Sequence, residues 1–166
     1  MSDLAKAAIV EIILADYVAT DAAGKGNLIG AGVALLGFEP AAGVTSKFGA
    51  WISIHVPTHL CPVEVPVEIA LVDASGELVS MPGPLGEPQP FRVAQIVMIE
   101  KPTVPVPVAQ RDHIGARSQV VFDFSNGLPL VPGGLYELRV RIDGDDATTR
   151  SYPFGVLGAM PPPVIG

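Results

Sequence analysis

Cysteine is almost missing: Cys61 is the one cysteine in 166 residues, so no disulfide can form within the chain. Such usage suits a reducing compartment. Charge is scarce as well, with Asp, Glu, Lys and Arg at 16% of residues against about 25% in an average soluble domain. Basic residues are the scarcer kind, 10 against 17 acidic ones, and the net charge is −7. Residues 1–100 carry 11 acids and 4 bases, whereas 101–166 carry 6 of each. Binding a duplex takes several clustered Lys or Arg to neutralise phosphates, and no such cluster occurs, which sets aside nucleic acid and anionic membrane as partners. Long apolar runs are missing too. Leu28 to Phe38 spans eleven residues, well short of the ~20 needed to cross a bilayer as a helix. The opening segment MSDLAKAAIVEIILADYVATD is not a standard secretion signal: Asp3 offsets Lys6, Glu11 interrupts the apolar run, and no clear small-residue cleavage site precedes Asp16. We expect a soluble protein, cytoplasmic or, if phage-encoded, in the virion.

What is plentiful is apolar side chain. Hydrophobic residues make up 49% of the chain, and Gly plus Pro about a fifth, below the roughly 25–30% of disordered sequences. A chain of this length folds as one domain and buries roughly two-thirds of its unfolded surface, enough without a disulfide or a metal. We expect one domain over 1–158 and an apolar, proline-rich tail, AMPPPVIG, over 159–166.

The dominant period is two. VEVPVEIALVD places Val63, Val65, Val67, Ile69 and Leu71 on one face, with Glu64 and Glu68 on the other. YELRVRID sets Tyr136, Leu138, Val140 and Ile142 inward and Glu137, Arg139, Arg141 and Asp143 outward. FGAWISIHV alternates Ile52, Ile54 and Val56 with Trp51, Ser53 and His55. Each is the pattern of a strand with one wet face. Ala8–Ala15 and Leu28–Phe38 are apolar on both faces, as is Phe91–Ile99 less purely, and they read as central strands sandwiched in the core. QVVFDF (119–124) supplies a further strand. Helical spacing is nowhere sustained, and at most a turn of helix falls near Ser2–Ala7 or around Gln110–His113. Turn signals punctuate the runs: AAGKGN, DASGE, VPGG and DGDD. Prolines confine MPGPLGEPQP (81–90) and KPTVPVPVA (101–109) to loops, edges or polyproline segments. The expected fold is all-β, an antiparallel β-sandwich of about eight strands, immunoglobulin-like or similar in architecture.

The stretch ADYVATDAAGKGNLIGAGVALLG (15–37) carries Asp16, Gly24, Lys25, Asn27, Leu28, Ile29, Gly30 and Gly32 in an order that resembles the opening signature of an uncharacterised bacterial β-sandwich family. LPLVPGGLYELRVRIDGD (128–145) is similar to that family's closing hairpin. Gly26 and the long proline-rich middle depart from the pattern, and the likeness covers about a third of the chain. It implies a β-sandwich and carries no activity or catalytic residues. On physical grounds alone, Gly30 and Gly32 clear one strand face for the close approach of a backbone or of a bulky residue such as Trp51.

Chemistry-bearing clusters are few. HVPTHLC brings His55, His59 and Cys61 within seven residues, all zinc-competent types. A second Cys/His cluster is missing, and the segment reads as a strand end with a polar loop. Asp143, Asp145 and Asp146 in IDGDDATT supply clustered carboxylates of the kind calcium takes, but without the EF-hand register, and Asp-Gly there reads as turn chemistry. Asp112 and His113 are adjacent and so badly placed to orient one another. The nucleophile elbow, the phosphate loop, G-x-G-x-x-G and H-E-x-x-H are all missing. No catalytic, cofactor-binding or metal residue is assigned, and the protein is read as a non-enzyme without a cofactor.

The loops are more apolar than solvation favours: Met81, Leu85, Phe91, Val104, Val106 and Val108, with Met160, Val164 and Ile165 in the tail. Exposed apolar patches mark protein contacts. The expectation is a non-catalytic sandwich acting through protein–protein contacts, by self-association into a homo-oligomer or as a component of a bacterial or phage assembly. The alternative is a small-ligand or carbohydrate-binding module at one end of the sandwich. Its aromatic supply is thin, at 6%, so the exposure of Trp51 weighs heavily.

Overall fold

A computed structural model describes residues 2–83, 85–103, 105 and 107–158. The tail 159–166, Val104 and Val106 lie outside the described residues. One sheet has the order β11-β6-β1-β2, formed by β1 (Ile9–Thr20), β2 (Gly26–Ala31), β6 (Phe48–Val56) and β11 (Ala116–Phe124). The other has the order β10-β7-β12-β13-β3, formed by β3 (Leu35–Leu36), β7 (Val63–Asp73), β10 (Arg92–Ile99), β12 (Leu135–Ile142) and β13 (Arg150–Val156). Two short ladders complete the strands: β4 (Phe38–Glu39) with β5 (Val44–Thr45), and β8 (Ser80–Pro82) with β9 (Pro88–Pro90). The second of these is what the first proline-rich stretch becomes. All ladders are antiparallel except that of β13 with the two-residue β3. The helical turns expected near each site are α1 (Asp3–Ala7) and α2 (Val108–Ile114).

The two sheets form a β-sandwich because the period-two runs bury the faces they were expected to bury. Ile52, Ile54 and Val56 of β6 meet Val65, Val67, Ile69 and Leu71 of β7 and Leu138, Val140 and Ile142 of β12 in one core. At one end aromatics bridge the layers: Phe48 lies 4.7 Å from Phe124 and 6.1 Å from Phe154, ring centre to ring centre. Tyr136 packs 5.8 Å from Phe154, and its hydroxyl accepts the Val131 N–H at 2.9 Å.

The same turn is built twice. In Asp21-Ala-Ala-Gly24 and Asp73-Ala-Ser-Gly76 the Asp Oδ1 accepts the backbone N–H two and four residues on. The glycine N–H closes the turn on the Asp carbonyl, at φ +75° and +87°. That left-handed residue after a tight turn is the familiar way to reverse an antiparallel pair with a bulge.

Three expectations need correction. Leu28–Phe38 is not a central strand. Gly30 and Gly32 adopt φ +66° and +90°, which breaks the run into β2, a largely exposed edge strand, and the short β3. Phe91–Ile99 is not two-faced either: β10 is the other sheet's edge and exposes Arg92, Ala94, Ile96 and Met98. The glycine that admits Trp51 is also not the expected one. A Cβ on Gly26 would stand 2.4 Å from Trp51 Nε1, whereas one on Gly30 would meet Asp16 and one on Gly32 would meet open space.

Gly127 and Gly24 separate the two costs of losing a glycine. Both have positive φ, but a Cβ on Gly127 would lie 2.0 Å from the Thr45 carbonyl oxygen and one on Gly24 would touch nothing. Gly24→Ala should cost about 1 kcal/mol from φ alone, and Gly127→Ala about 2–4 kcal/mol because the facing backbone must also shift. Denaturant melts of the two variants read the difference.

Candidate functional site

The structure disperses the zinc-competent triplet. His55 stands on the outer face of β6, its Nε2 2.9 Å from the Ile114 carbonyl oxygen. His59 is exposed in a one-turn 3-10 segment, Thr58–Leu60. Cys61 points the other way, into the core, with its thiol 3.8 Å from the Pro57 carbonyl oxygen. Burial pushes that thiol above its ordinary pKa; nearby Lys101 pulls it down and Glu100 raises it further. The aspartates of the 143–149 turn are committed as well. Asp143 takes φ +55° as a turn residue, Asp145 Oδ1 accepts the Ala147 N–H at 2.9 Å, and Asp146 binds Arg141 at 2.6 Å. Among the described residues no three His, Cys, Asp or Glu side chains gather where one metal ion would sit. Asp112 accepts the Thr58 hydroxyl at 2.6 Å, so the Asp112–His113 neighbours do not form a pair.

Trp51 is half-buried on the outer face of the first sheet, and its indole N–H donates to Gln119 Oε1 at 2.9 Å. A cleft of about 180 Å³ beside α2 is lined by His59, Lys101, Arg111 and Asp112. Neither Trp51 nor Tyr17 lines it, so it offers no aromatic platform for a sugar.

What the fold assembles on the outer face of the second sheet is a charged centre between apolar margins. Alternation sends Glu68 of β7, Arg92 of β10, and Glu137, Arg139 and Arg141 of β12 outward together. Glu68 accepts hydrogen bonds from Arg92 and, at 2.9 Å, from Arg141, which also reaches Asp146. Arg139 pairs with Glu137 at 3.0 Å. Burial pushes the Glu68 carboxyl up, but the hydrogen bonds and charges of Arg92 and Arg141 outweigh it and hold it below its ordinary value of 4.5.

On one margin, Leu35 of β3 and Leu135 of β12 flank Gly155 of β13 and stand 61% and 63% exposed. They open on a groove of about 520 Å³ that also includes Pro153 and Ala74. On the other margin, Ile96 and Met98 of β10 are 67% and 48% exposed, with Pro66 of β7 directly opposite Ile96. Leu85 and Val108 of the proline-rich stretches are exposed as expected, whereas Met81 and Phe91 pack against the core. The apolar margins escaped the sequence reading because strand order alone decides which apolar strands become edges.

No family model matches the chain, and no curated protein matches it either. Among the described residues no helix is long and apolar enough to cross a membrane.

Two expected outcomes follow from this geometry. Cys61 should label slowly with a thiol reagent at pH 8 in the native protein and completely once unfolded, because its sulfur is buried and held protonated. Glu68 is more acidic folded than unfolded. Its contribution is therefore complete above about pH 4.5 and is lost as pH falls through the lowered folded value. Glu68→Gln should cost about 1–2 kcal/mol at pH 7 and flatten the fall in Tm below about pH 5, read by circular dichroism.

Proposed function

We propose that this protein is a non-catalytic β-sandwich that works through protein–protein contacts, as a structural or accessory component of a bacterial or phage assembly. It would act in the cytoplasm or the virion. The observation that carries this reading is the pair of apolar margins on the second sheet: Leu35 and Leu135 at one, Ile96 and Met98 at the other, all large and all about half exposed or more. Because each is already partly buried, covering one would gain roughly 1–2 kcal/mol. Between the margins, the Arg–Glu pairs form a polar strip that supplies register and no acid–base chemistry. The family resemblance of residues 15–37 and 128–145 fits a sandwich without an assigned activity. Sedimentation equilibrium is the test. A mass above that of a single chain at high micromolar concentration is expected, and a strict monomer there would remove the reading's main support.

A further inference from the structure

β10 is the last strand of the second sheet on its side, laddered to β7 alone from Arg92 opposite Ala70 to Ile99 opposite Val63. Its far edge makes no backbone hydrogen bond among the described residues. Natural sheets guard such edges with proline, charge or bulges, because a row of unpaired N–H and C=O groups is a template for another strand. Within 92–99 there is no proline, and Arg92 is the one charge. The prolines stand outside instead: Pro88 and Pro90 before the strand, Pro102 and Pro105 after it. They leave open a stretch from Arg92 to Glu100 and close the chain on either side of it.

The outward side chains of that stretch are Arg92, Ala94, Ile96, Met98 and Glu100, all exposed. Reversed, the series complements itself. In an antiparallel pair, residues directly opposite share a face and their side chains touch. A two-fold axis through Ile96 would set Ile96 against Ile96, Ala94 against Met98, and Arg92 against Glu100, twice each for the unlike pairs. Glu100 has no ion-pair partner among the described residues, and Arg92, held to Glu68 through one terminal nitrogen, keeps other donors for it. An isologous contact of this kind is how most homo-oligomers close.

We propose that a second copy of this chain pairs antiparallel along β10 about Ile96, joining two five-stranded sheets into one of ten strands. The proposal rests on the contact reading above and gives it a surface, a partner and a register. The edge strand β11 is the natural rival, since Arg117 and Asp123 also sit at its two ends. Its outward centre is Gln119, already bonded to Trp51, and the half-buried Val121, so it offers less to cover.

The wild-type protein should sediment as two chains at high micromolar concentration. Ile96→Lys, a change at an exposed side chain, should weaken the dimer at least tenfold, and Val121→Lys should leave it intact. Arg92→Glu and Glu100→Arg should each sediment as one chain, yet an equimolar mixture of the two should recover the dimer, because each then faces its opposite charge. Ile96→Cys should cross-link on oxidation, since directly opposite Cα atoms about 4.5–5.5 Å apart suit a disulfide, while Met98→Cys should not. An oligomer that survives Ile96→Lys, or that Val121→Lys disrupts instead, overturns the β10 pairing and leaves the contact function standing. A wild type that sediments as one chain at every concentration overturns the pairing and removes the support for self-association with it.

Discussion

The contact on which this molecule depends is the interlocking of branched aliphatic side chains between its two sheets. Ile52 and Ile54 of β6 and Val65 and Ile69 of β7 have no measurable exposure, and neither has Val140 of β12. Branching at Cβ fixes their rotamers at little entropic cost and suits the pleated surface. With no disulfide and few ion pairs, the free energy of folding has to come mainly from this layer. The constraint it imposes is directional. A strand that buries every second residue must present the others outside, so whatever occupies those positions decides what the outer surfaces do.

On the second sheet that outer surface is divided. Glu68 sits where β10, β7 and β12 run side by side, and two arginines from its flanking strands converge on it. Pairs this exposed contribute modestly to stability, but they fix which charges are free and which are spent. Arg141 is spent on Glu68 and Asp146. Away from this strip the outward positions include Leu35, Leu135, Pro153, Pro66, Ile96 and Met98, with Glu64 beside Met98 as the charge among them. The charges of this strip are thus satisfied by neighbouring strands, and the large side chains at its margins are mostly apolar.

How much of this could be read from the sequence follows from what a linear pattern encodes. Period two in 48–56, 63–71 and 136–142 reports a local property of the chain, and each strand buries the face expected of it. The Asp-Ala-x-Gly turns are legible for the same reason: the side chain bonds its own backbone a few residues on. Leu28–Phe38 misleads because apolar content does not reveal that Gly30 and Gly32 take left-handed φ, which splits the run and exposes it. Phe91–Ile99 misleads because central and edge strands look alike until strand order is known. The candidate metal clusters dissolve for a simpler reason. His55 and Cys61 are close in sequence, but one lies on an outward face and the other turns into the core, so proximity along the chain does not become convergence in space.

Strand order also decides where such a sandwich meets its surroundings. Two open sheets have four edges, and here they are unequal. β3 is two residues long, and Gly30 of β2 takes a left-handed φ with the Asp16 side chain lying against it. Both make poor templates for a further strand. β11 and β10 are full-length and regular, and they lie on the same side of the sandwich. Of the two, β11 spends its central glutamine on Trp51 and keeps charge at both ends, whereas β10 holds a clean apolar centre between Arg92 and Glu100. Proline-rich segments bracket β10 on both sides, and a proline cannot donate to a ladder. Any strand added there is therefore limited to the length of β10 itself. A finite, self-limiting edge favours closed pairs over open fibres, which reconciles an unguarded strand with a protein that must not aggregate.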